Sequence, residues 1–151
     1  FLHRPVTGDF RITVQMLTRP EGGTHPHTKG GLMIRESLDP SSRDAYLMLH
    51  HALAGLCFQG RAFSGDAAQT IGPAFPAAEV KLPIWLQLTR QGNRISAAYS
   101  LDGGRRFHPA GAPWQFAAPL PPTLEAGLAI TAHTEGEISE AKFRDLRIEQ
   151  R

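Results

Sequence analysis

Side chains that can stack on polar ligands and hydrogen-bond to them recur at alternate positions of several short apolar segments. In one segment Arg35 alternates with Leu32 and Ile34, and in another Trp85 and Gln87 alternate with leucines and an isoleucine. Successive side chains of a β-strand point to opposite faces, so the apolar set would face a core and the polar set would face outward. If these strands are neighbours, one outer face carries Arg35, Tyr46, His50, Gln59, Arg61, Trp85 and Gln87.

This combination of side chains has the chemistry that sugar binding requires. An aromatic plane can stack on the apolar face of a sugar ring, while guanidinium and amide groups bond to pairs of hydroxyls. We therefore predict that this face binds a glycan or another polar ligand, with Trp85 as the stacking residue and Tyr46 as a second aromatic. For any single residue, the ordinary polarity of an outer sheet face is the simpler explanation, so the hypothesis depends on the group.

The carboxylates are poorly arranged for cleaving sugars. Glycoside hydrolysis ordinarily requires two carboxyl groups, about 5–10 Å apart, on either side of the bond. Glu36 adjoins the predicted face but alternation turns it away from Arg35, and most other acids lie at turns and strand ends: Asp9, Asp39, Asp44, Asp66, Asp102, Glu135 and Glu137. We predict that the chain is not an enzyme. The alternative is a glycoside hydrolase whose acids come from loops, such as Asp44, Glu36 or Asp66.

Metal and thiol chemistry have few candidate residues. Cys57 is the only cysteine, which excludes an intramolecular disulfide and a cysteine zinc cluster. His50 and His51 are adjacent and would point to opposite faces of a strand, whereas His25 and His27 lie in a loop and could share an ion. A polar loop is the commoner explanation for that pair, and no dense acidic segment indicates calcium. We predict no bound metal and no cofactor.

Length, charge and composition restrict the class of protein. The chain has 151 residues, 41% of them hydrophobic, and 16 basic against 14 acidic side chains give a formal charge of +2. These values predict one globular domain over residues 1–151, with neither nucleic-acid binding nor membrane insertion. Because the sequence opens on Phe1 with no signal-like leader, we expect a domain excised from a longer protein, with that protein's other domains as partners.

Alternating hydrophobic residues and dense Gly and Pro punctuation predict an antiparallel β-sandwich. Strands are expected at 9–19, 31–36, 46–50, 55–63, 84–90, 94–100, 124–133 and 141–149, with connecting loops at 73–83 and 110–122. Residues 41–54 and 137–151 could instead form helices, but a turn followed by a strand is favoured for the first. In the second, the alternation slips at Asp145, which a β-bulge explains. Residues 100–107 have the S-x-D-x-G-x-x-F spacing of an Asp box, a structural hairpin turn.

Several segments, in order along the chain, resemble one branch of the concanavalin A-like lectin/glucanase superfamily. They are Gly8-Asp9-Phe10, Lys29 to Asp39 (KGGLMIRESLD), Pro83 to Arg90 (PIWLQLTR), Gly92-Asn93, Tyr99 to Gly103 (YSLDG), Gly127 to His133 (GLAITAH) and Ala141-Lys142-Phe143. This branch comprises largely uncharacterised domains, including the fungal "regulation of enolase protein" type. The resemblance covers the chain from Gly8 to Ile148.

The resemblance implies an all-β, two-sheet antiparallel jelly-roll sandwich with a concave face, the surface on which lectin relatives bind glycans. It implies no catalytic activity, and the alternating acids of laminarinase-type relatives are absent here. Relatives are usually modules of larger, often secreted bacterial proteins, so a secreted or periplasmic location follows from the resemblance alone. One departure is the segment from His50 to Gly55, where many members have a Gly-rich, Pro-containing loop.

The residues and the resemblance together predict a non-catalytic, lectin-like carbohydrate-binding accessory module that uses one concave sheet face. Two alternatives stay open at this point. One is the glycoside hydrolase with loop-borne carboxylates. The other is a structural or protein-interaction domain that has no small ligand, which a large apolar patch on the outer sheet would favour.

Overall fold

The computed structural model describes residues 1–52, 55–75 and 79–151. Within these ranges the chain forms β-strands and no α-helix, and nothing helical there is long and apolar enough to cross a membrane. The strands are β1 (Leu2–Thr7), β2 (Phe10–Met16), β3 (Lys29–Arg35), β4 (Asp44–His50), β5 (Leu56–Arg61), β6 (Gln69–Phe75), β7 (Ile84–Gln91), β8 (Arg94–Ser100), β9 (His108–Pro109), β10 (Trp114–Gln115), β11 (Thr123–Thr131) and β12 (Phe143–Gln150).

The strands form two antiparallel sheets. Sheet A has the order β1-β11-β3-β4-β5-β6, and sheet B has the order β10-β8-β7-β2-β12, with β9 pairing β8. Some neighbours are joined by short turns, such as β7 and β8, whereas β11 lies between β1 and β3, and β12 pairs with β2. The all-β, two-sheet antiparallel sandwich predicted from the alternation is therefore confirmed.

The core lies between the sheets and is built by the alternation already visible in the sequence. In sheet B, Phe10, Ile12, Val14 and Met16 of β2 are buried, as are Ile84, Leu86 and Leu88 of β7. Sheet A contributes its own inward set, Leu32, Ile34, Leu47, Leu49, Leu56 and Phe58. Burying each of these side chains favours folding by about 1.5–3 kcal/mol. Because both sheets bury one face in this way, the remaining side chains of each strand are left on an outer face.

The predicted β-bulge in the last strand is confirmed. The pairing of β12 with β2 shifts register between Arg144 and Arg147, and Asp145 between them has a positive φ of 56°. By shifting the register, the bulge sets which side chains β12 presents on the outer face of sheet B. The predicted strand within 41–54 is also confirmed as β4, while residues 53 and 54 lie outside the described residues.

Edge strands are the elements that the sequence analysis missed. β1 and β6 are the two edges of sheet A, and each contains a proline, Pro5 or Pro73, that lacks an N–H for pairing. The loop predicted at 110–122 contains β10, and the one predicted at 73–83 begins inside β6, with residues 76–78 outside the described ranges. Edge strands bury less than central ones, so their hydrophobic alternation is weak.

Candidate functional site

The seven side chains predicted to share one face lie on two. Arg35, Tyr46, His50, Gln59 and Arg61 belong to the outer face of sheet A, whereas Trp85 and Gln87 lie on β7 in sheet B. The sheets pack core to core, so these outer faces are on opposite sides of the sandwich. The prediction of a single shared face is therefore wrong for Trp85 and Gln87. Alternation fixes which side of its own sheet a residue occupies, but it does not fix which sheet the strand joins.

The two arginines of sheet A brace neighbouring turns. The Arg35 guanidinium donates to the carbonyl of Asp39 at 2.6 Å, and the Arg61 guanidinium donates to the carbonyls of Pro40 and Asp66 at 2.6 and 2.8 Å. Backbone carbonyls at turns otherwise need water or another donor. These side chains therefore have a structural task that occupies much of their hydrogen-bonding capacity.

The middle of the outer face of sheet A is a second, smaller apolar cluster. Tyr46, Met48, Cys57 and Ala129 pack together there, with Tyr46 only 5% exposed. The Tyr46 hydroxyl donates to the Ala129 carbonyl at 2.9 Å, and burial raises the pKa of this phenol and of the Cys57 thiol. Tyr46 is thus not an open plane for stacking, and Cys57 is a protonated packing residue.

Two carboxylates share the outer face of sheet A with the arginines. The ladder places Glu125, Arg35, Asp44 and Arg61 side by side on adjacent strands. Burial raises the pKa of Asp44, although an Arg61 nitrogen lies 3.8 Å from its carboxylate, and Glu125 lies 2.8 Å from the His3 ring. The sequence analysis placed Asp44 at a strand end but did not consider Glu125, whose position in the predicted strand 124–133 was the available signal.

The outer face of sheet B holds a cleft of about 320 Å³. Its floor is formed by β2 and β7, one wall by β12, and the other wall by the turn that follows β8. The pairing register aligns Arg147, Thr13 and Gln87 in one row and Glu149 with Arg11 in the next. The lining residues are Arg11, Thr13, Trp85, Gln87, Gly103, Gly104, Phe107, Arg147 and Glu149. This volume lies at the lower end of the range for small-ligand sites.

The turn after β8 is the predicted Asp box, and its hydrogen bonds confirm a structural role. The Asp102 carboxylate accepts the backbone N–H groups of Arg105 and Arg106 at 3.1 and 3.0 Å, and Ser100 Oγ donates to it at 2.7 Å. Gly104 donates its own N–H to Ser100 Oγ and packs directly against the Trp85 indole. The turn therefore fixes one wall of the cleft and the position of its aromatic side chain.

Several polar groups in the cleft lack protein partners. Trp85 Nε1 and Arg11 Nε are buried without a hydrogen bond, and in the described ranges the side chains of Arg147 and Glu149 form neither a hydrogen bond nor an ion pair. Gln87 donates to Thr13 Oγ1 at 3.3 Å. Buried polar groups without a partner are uncommon in folded proteins, which applies to Trp85 Nε1 and Arg11 Nε, whereas Arg147 and Glu149 are exposed to solvent. The cleft thus combines an aromatic side chain with two guanidinium groups and one carboxylate that are free to meet a ligand.

Comparison with known proteins shows the fold. No family model and no curated protein matches the chain. Among solved structures, it is similar to a functionally unknown protein from Saccharomyces cerevisiae (TM-score 0.67, 15% identity, 100% of this chain and 74% of that one). It is also similar to the carbohydrate-binding module CBM66 from Bacillus subtilis (TM-score 0.60, 17% identity, 97% of this chain and 78% of that one).

Glycoside hydrolase structures are similar over part of their length. The chain matches a GH43 protein from Bacillus licheniformis (TM-score 0.67, 15% identity, 95% of this chain) and a xylan β-1,4-xylosidase from Bacillus halodurans (TM-score 0.62, 15% identity, 98% of this chain). It spans only 28% and 33% of these two chains. At such low identity the likeness establishes a shared β-sandwich architecture.

Proposed function

We propose that this chain is a non-catalytic carbohydrate-binding module whose ligand docks in the cleft over sheet B. The observation that carries the proposal is the convergence of the Trp85 indole with the unpaired side chains of Arg11, Arg147 and Glu149 in one cleft. A sugar presents an apolar ring face together with hydroxyls that both donate and accept hydrogen bonds. The cleft offers an aromatic surface, donors and an acceptor within one small volume, which matches those needs.

The cleft is a better candidate than the outer face of sheet A. On sheet A the arginines donate to backbone carbonyls and Tyr46 is buried, so a ligand there would compete with bonds that hold the turns. In the cleft on sheet B, the guanidinium groups of Arg11 and Arg147 form no such bonds within the part of the chain that the structure describes. The proposal thus retains Trp85 and Gln87 from the sequence analysis and replaces Arg35 and Arg61 with Arg11 and Arg147.

Binding is favoured over hydrolysis by the number of carboxylates in the cleft. Glu149 is the single acid among the cleft's described lining residues, whereas glycoside cleavage ordinarily uses two. Of the loop acids considered for a hydrolase, Glu36 has both oxygens bonded to Arg43 at 2.8 Å. That pairing keeps the Glu36 carboxylate ionised and occupied.

The similar structures support a role connected with carbohydrates. One of them is named as a carbohydrate-binding module, and others are named as GH43 proteins or a xylosidase. We further propose, on the sequence motifs between Gly8 and Ile148, that the sandwich is a jelly roll of the concanavalin A-like superfamily in the branch that includes the "regulation of enolase protein" type. In that case its partners are a glycan and the other domains of a larger chain.

Calorimetry over a panel of plant and microbial polysaccharides tests the proposal. The Gln87→Ala/Arg147→Ala variant removes an amide and a guanidinium from the cleft, and we expect affinity to fall at least about tenfold, as loss of one hydrogen bond to a charged group implies. The Gln59→Ala/Arg61→Ala variant removes the same two groups from sheet A and is the matched control. It should bind like the wild type, with folding of both variants verified by circular dichroism.

Three results would contradict the proposal. If no polysaccharide binds, the chain is not a carbohydrate-binding module. If the sheet A variant loses affinity while the cleft variant does not, the ligand docks on the opposite face. If a bound polysaccharide releases reducing ends at a rate proportional to protein concentration, the chain is an enzyme.

A further inference from the structure

Four histidines from three separate segments meet at one end of the outer face of sheet A. We call His25, His27, His50 and His133 the histidine cluster. The ring centroids of His25 and His133 are 5.2 Å apart, those of His25 and His27 5.5 Å, those of His27 and His133 5.8 Å, and those of His27 and His50 6.1 Å. The cluster lies on the sheet opposite the cleft, so it is independent of the proposed glycan site.

Two further basic side chains adjoin the histidine cluster. Lys29 pairs with His50 in the β3–β4 ladder, and after burial its charge is the next cause that lowers the pKa of both His50 and His133. Arg19 donates to the backbone carbonyl of His50 at 3.3 Å. Both cations therefore add to any positive charge that the histidines acquire.

Few acidic groups oppose this charge. Glu137, next to His25, is held by the backbone N–H and hydroxyl of Thr24 at 2.8 and 2.6 Å. Asp44 lies at the far end of β4, but its carboxylate acts on Lys29 and favours the charged ammonium. The Cys57 thiol on β5 has a pKa raised by burial and is neutral. Among the described residues around the cluster, basic groups thus outnumber acidic ones.

This charge distribution distinguishes between an anion and a metal ion. Imidazole binds both, but Lys29 and Arg19 repel a divalent cation and attract an anion. Within the described ranges no group of three or more histidine, cysteine or acidic side chains converges as metal binding requires. A negatively charged ligand is therefore the occupant that the surroundings favour.

Two members of the histidine cluster are held in unusual states. His50 is 4% exposed and its Nδ1 has no hydrogen-bond partner. His133 has a φ of 62°, a left-handed conformation that residues other than glycine rarely adopt. Such backbone conformations persist only where the surrounding structure holds them, and they concentrate at functional sites. Here the conformation brings the His133 ring against that of His25.

We propose that the histidine cluster binds an oxyanion, a carboxylate or sulfate group, and takes up protons as it does so. Burial is the main cause that lowers the pKa of His50, to about 4, and that of His133, so these two imidazoles are largely neutral at pH 7 when no ligand is bound. A bound anion stabilises the imidazolium form and raises these pKa values. Affinity must then increase as the pH falls, by linkage.

Titration with inorganic sulfate at constant ionic strength, followed by histidine side-chain NMR at pH 5.5 and 7.5, tests this proposal. Uptake of one proton makes binding up to about tenfold tighter per pH unit, so we expect at least tenfold higher affinity at pH 5.5. His27→Gln/His133→Asn should abolish binding, and Asn tolerates the left-handed backbone at 133. His108→Gln, an exposed histidine on β9, is the control and should bind sulfate like the wild type.

A sulfated oligosaccharide in a parallel titration identifies the source of the anion. Read from the side-chain signals of the clustered histidines, much tighter binding than inorganic sulfate indicates an acidic polysaccharide, and equal binding indicates a free anion; either supports the site if His27→Gln/His133→Asn abolishes it. Binding that is independent of pH, or that persists in the double variant, overturns the proposal. So does tight binding of Zn²⁺ at pH 7.5 without any binding of sulfate at pH 5.5. Because each outcome is read at the side chains of the clustered histidines, binding of a glycan in the cleft on sheet B is distinguished from it by leaving these signals unchanged.

Discussion

Substitution of two adjacent glycines in the Asp-box turn tests how closely this turn packs on Trp85. Gly103 and Gly104 both have a left-handed backbone, with φ values of 78° and 83°. A Cβ at 103 would meet nothing within 4 Å, whereas a Cβ at 104 would lie 3.3 Å from two carbons of the Trp85 indole. Alanine at either position therefore introduces the same backbone strain, and only Gly104→Ala also presses on the aromatic wall of the cleft.

The expected loss of stability follows from these two contributions. An L-residue in the left-handed region costs about 1–2 kcal/mol, and the lower entropy of alanine in the unfolded chain recovers about 0.4–1 kcal/mol, leaving a net loss near 1 kcal/mol for Gly103→Ala. The steric contact adds about 1 kcal/mol for Gly104→Ala, the lower end of overpacking costs, because Trp85 is only partly buried and can shift. We therefore expect losses of about 1 and about 2 kcal/mol.

Urea denaturation followed by circular dichroism measures this difference. In a chain of this length an extra 1 kcal/mol also lowers Tm by about 2–4 °C. Gly104→Ala should in addition weaken glycan binding more than Gly103→Ala does, because only Gly104→Ala displaces the indole. Equal destabilisation by both variants, or a larger effect at position 103, would refute the packing of the turn on Trp85. A common loss well above 2 kcal/mol would show that the backbone strain is underestimated.

Three further changes test other parts of the sandwich. Tyr46→Phe removes the buried hydrogen bond to the Ala129 carbonyl and should lower the free energy of unfolding by about 1–2 kcal/mol without changing glycan affinity. Reduced glycan affinity would indicate that the ligand binds on the outer face of sheet A. Arg43→Met leaves Glu36 and the carbonyls at 118–119 without their donor. The free energy of unfolding measured by urea denaturation should fall by about 2–3 kcal/mol, and an unchanged value would show that this ion pair does not stabilise the fold. The Arg43 hydrogen bond lowers the pKa of Glu36 in the folded protein. The contribution of this ion pair to folding stability is therefore complete above the ordinary pKa of 4.5, and it is lost as the pH falls through the lower pKa of the folded state. Glu36→Gln should therefore flatten the loss of stability with acid below pH 4.5, and an unchanged acid limb would contradict the role of this pair.

Much of the local structure was predictable because it depends on short-range patterns. Alternation located the central strands and their inward side chains, the slip at Asp145 indicated the bulge, and the spacing from Ser100 to Phe107 predicted the turn. Each of these follows from the period of two along a strand or from hydrogen bonds between residues close in the chain. The edge strands β1 and β6 were missed because prolines interrupt their pattern and, in β1, most side chains are exposed.

The composition of either candidate site depended instead on contacts between distant segments. The cleft joins Arg11 and Trp85 to Arg147 only because β2 pairs with both β7 and β12. The histidine cluster likewise brings together His25, His50 and His133, which are far apart along the chain. The sequence by itself determined which side of each strand faces the core, since that follows from residue parity. Only the tertiary structure decided which strands share a sheet, because that depends on how all strands together bury their apolar faces and satisfy their backbone hydrogen bonds. That is why Trp85 lies on the opposite side of the sandwich from Arg35 and Arg61.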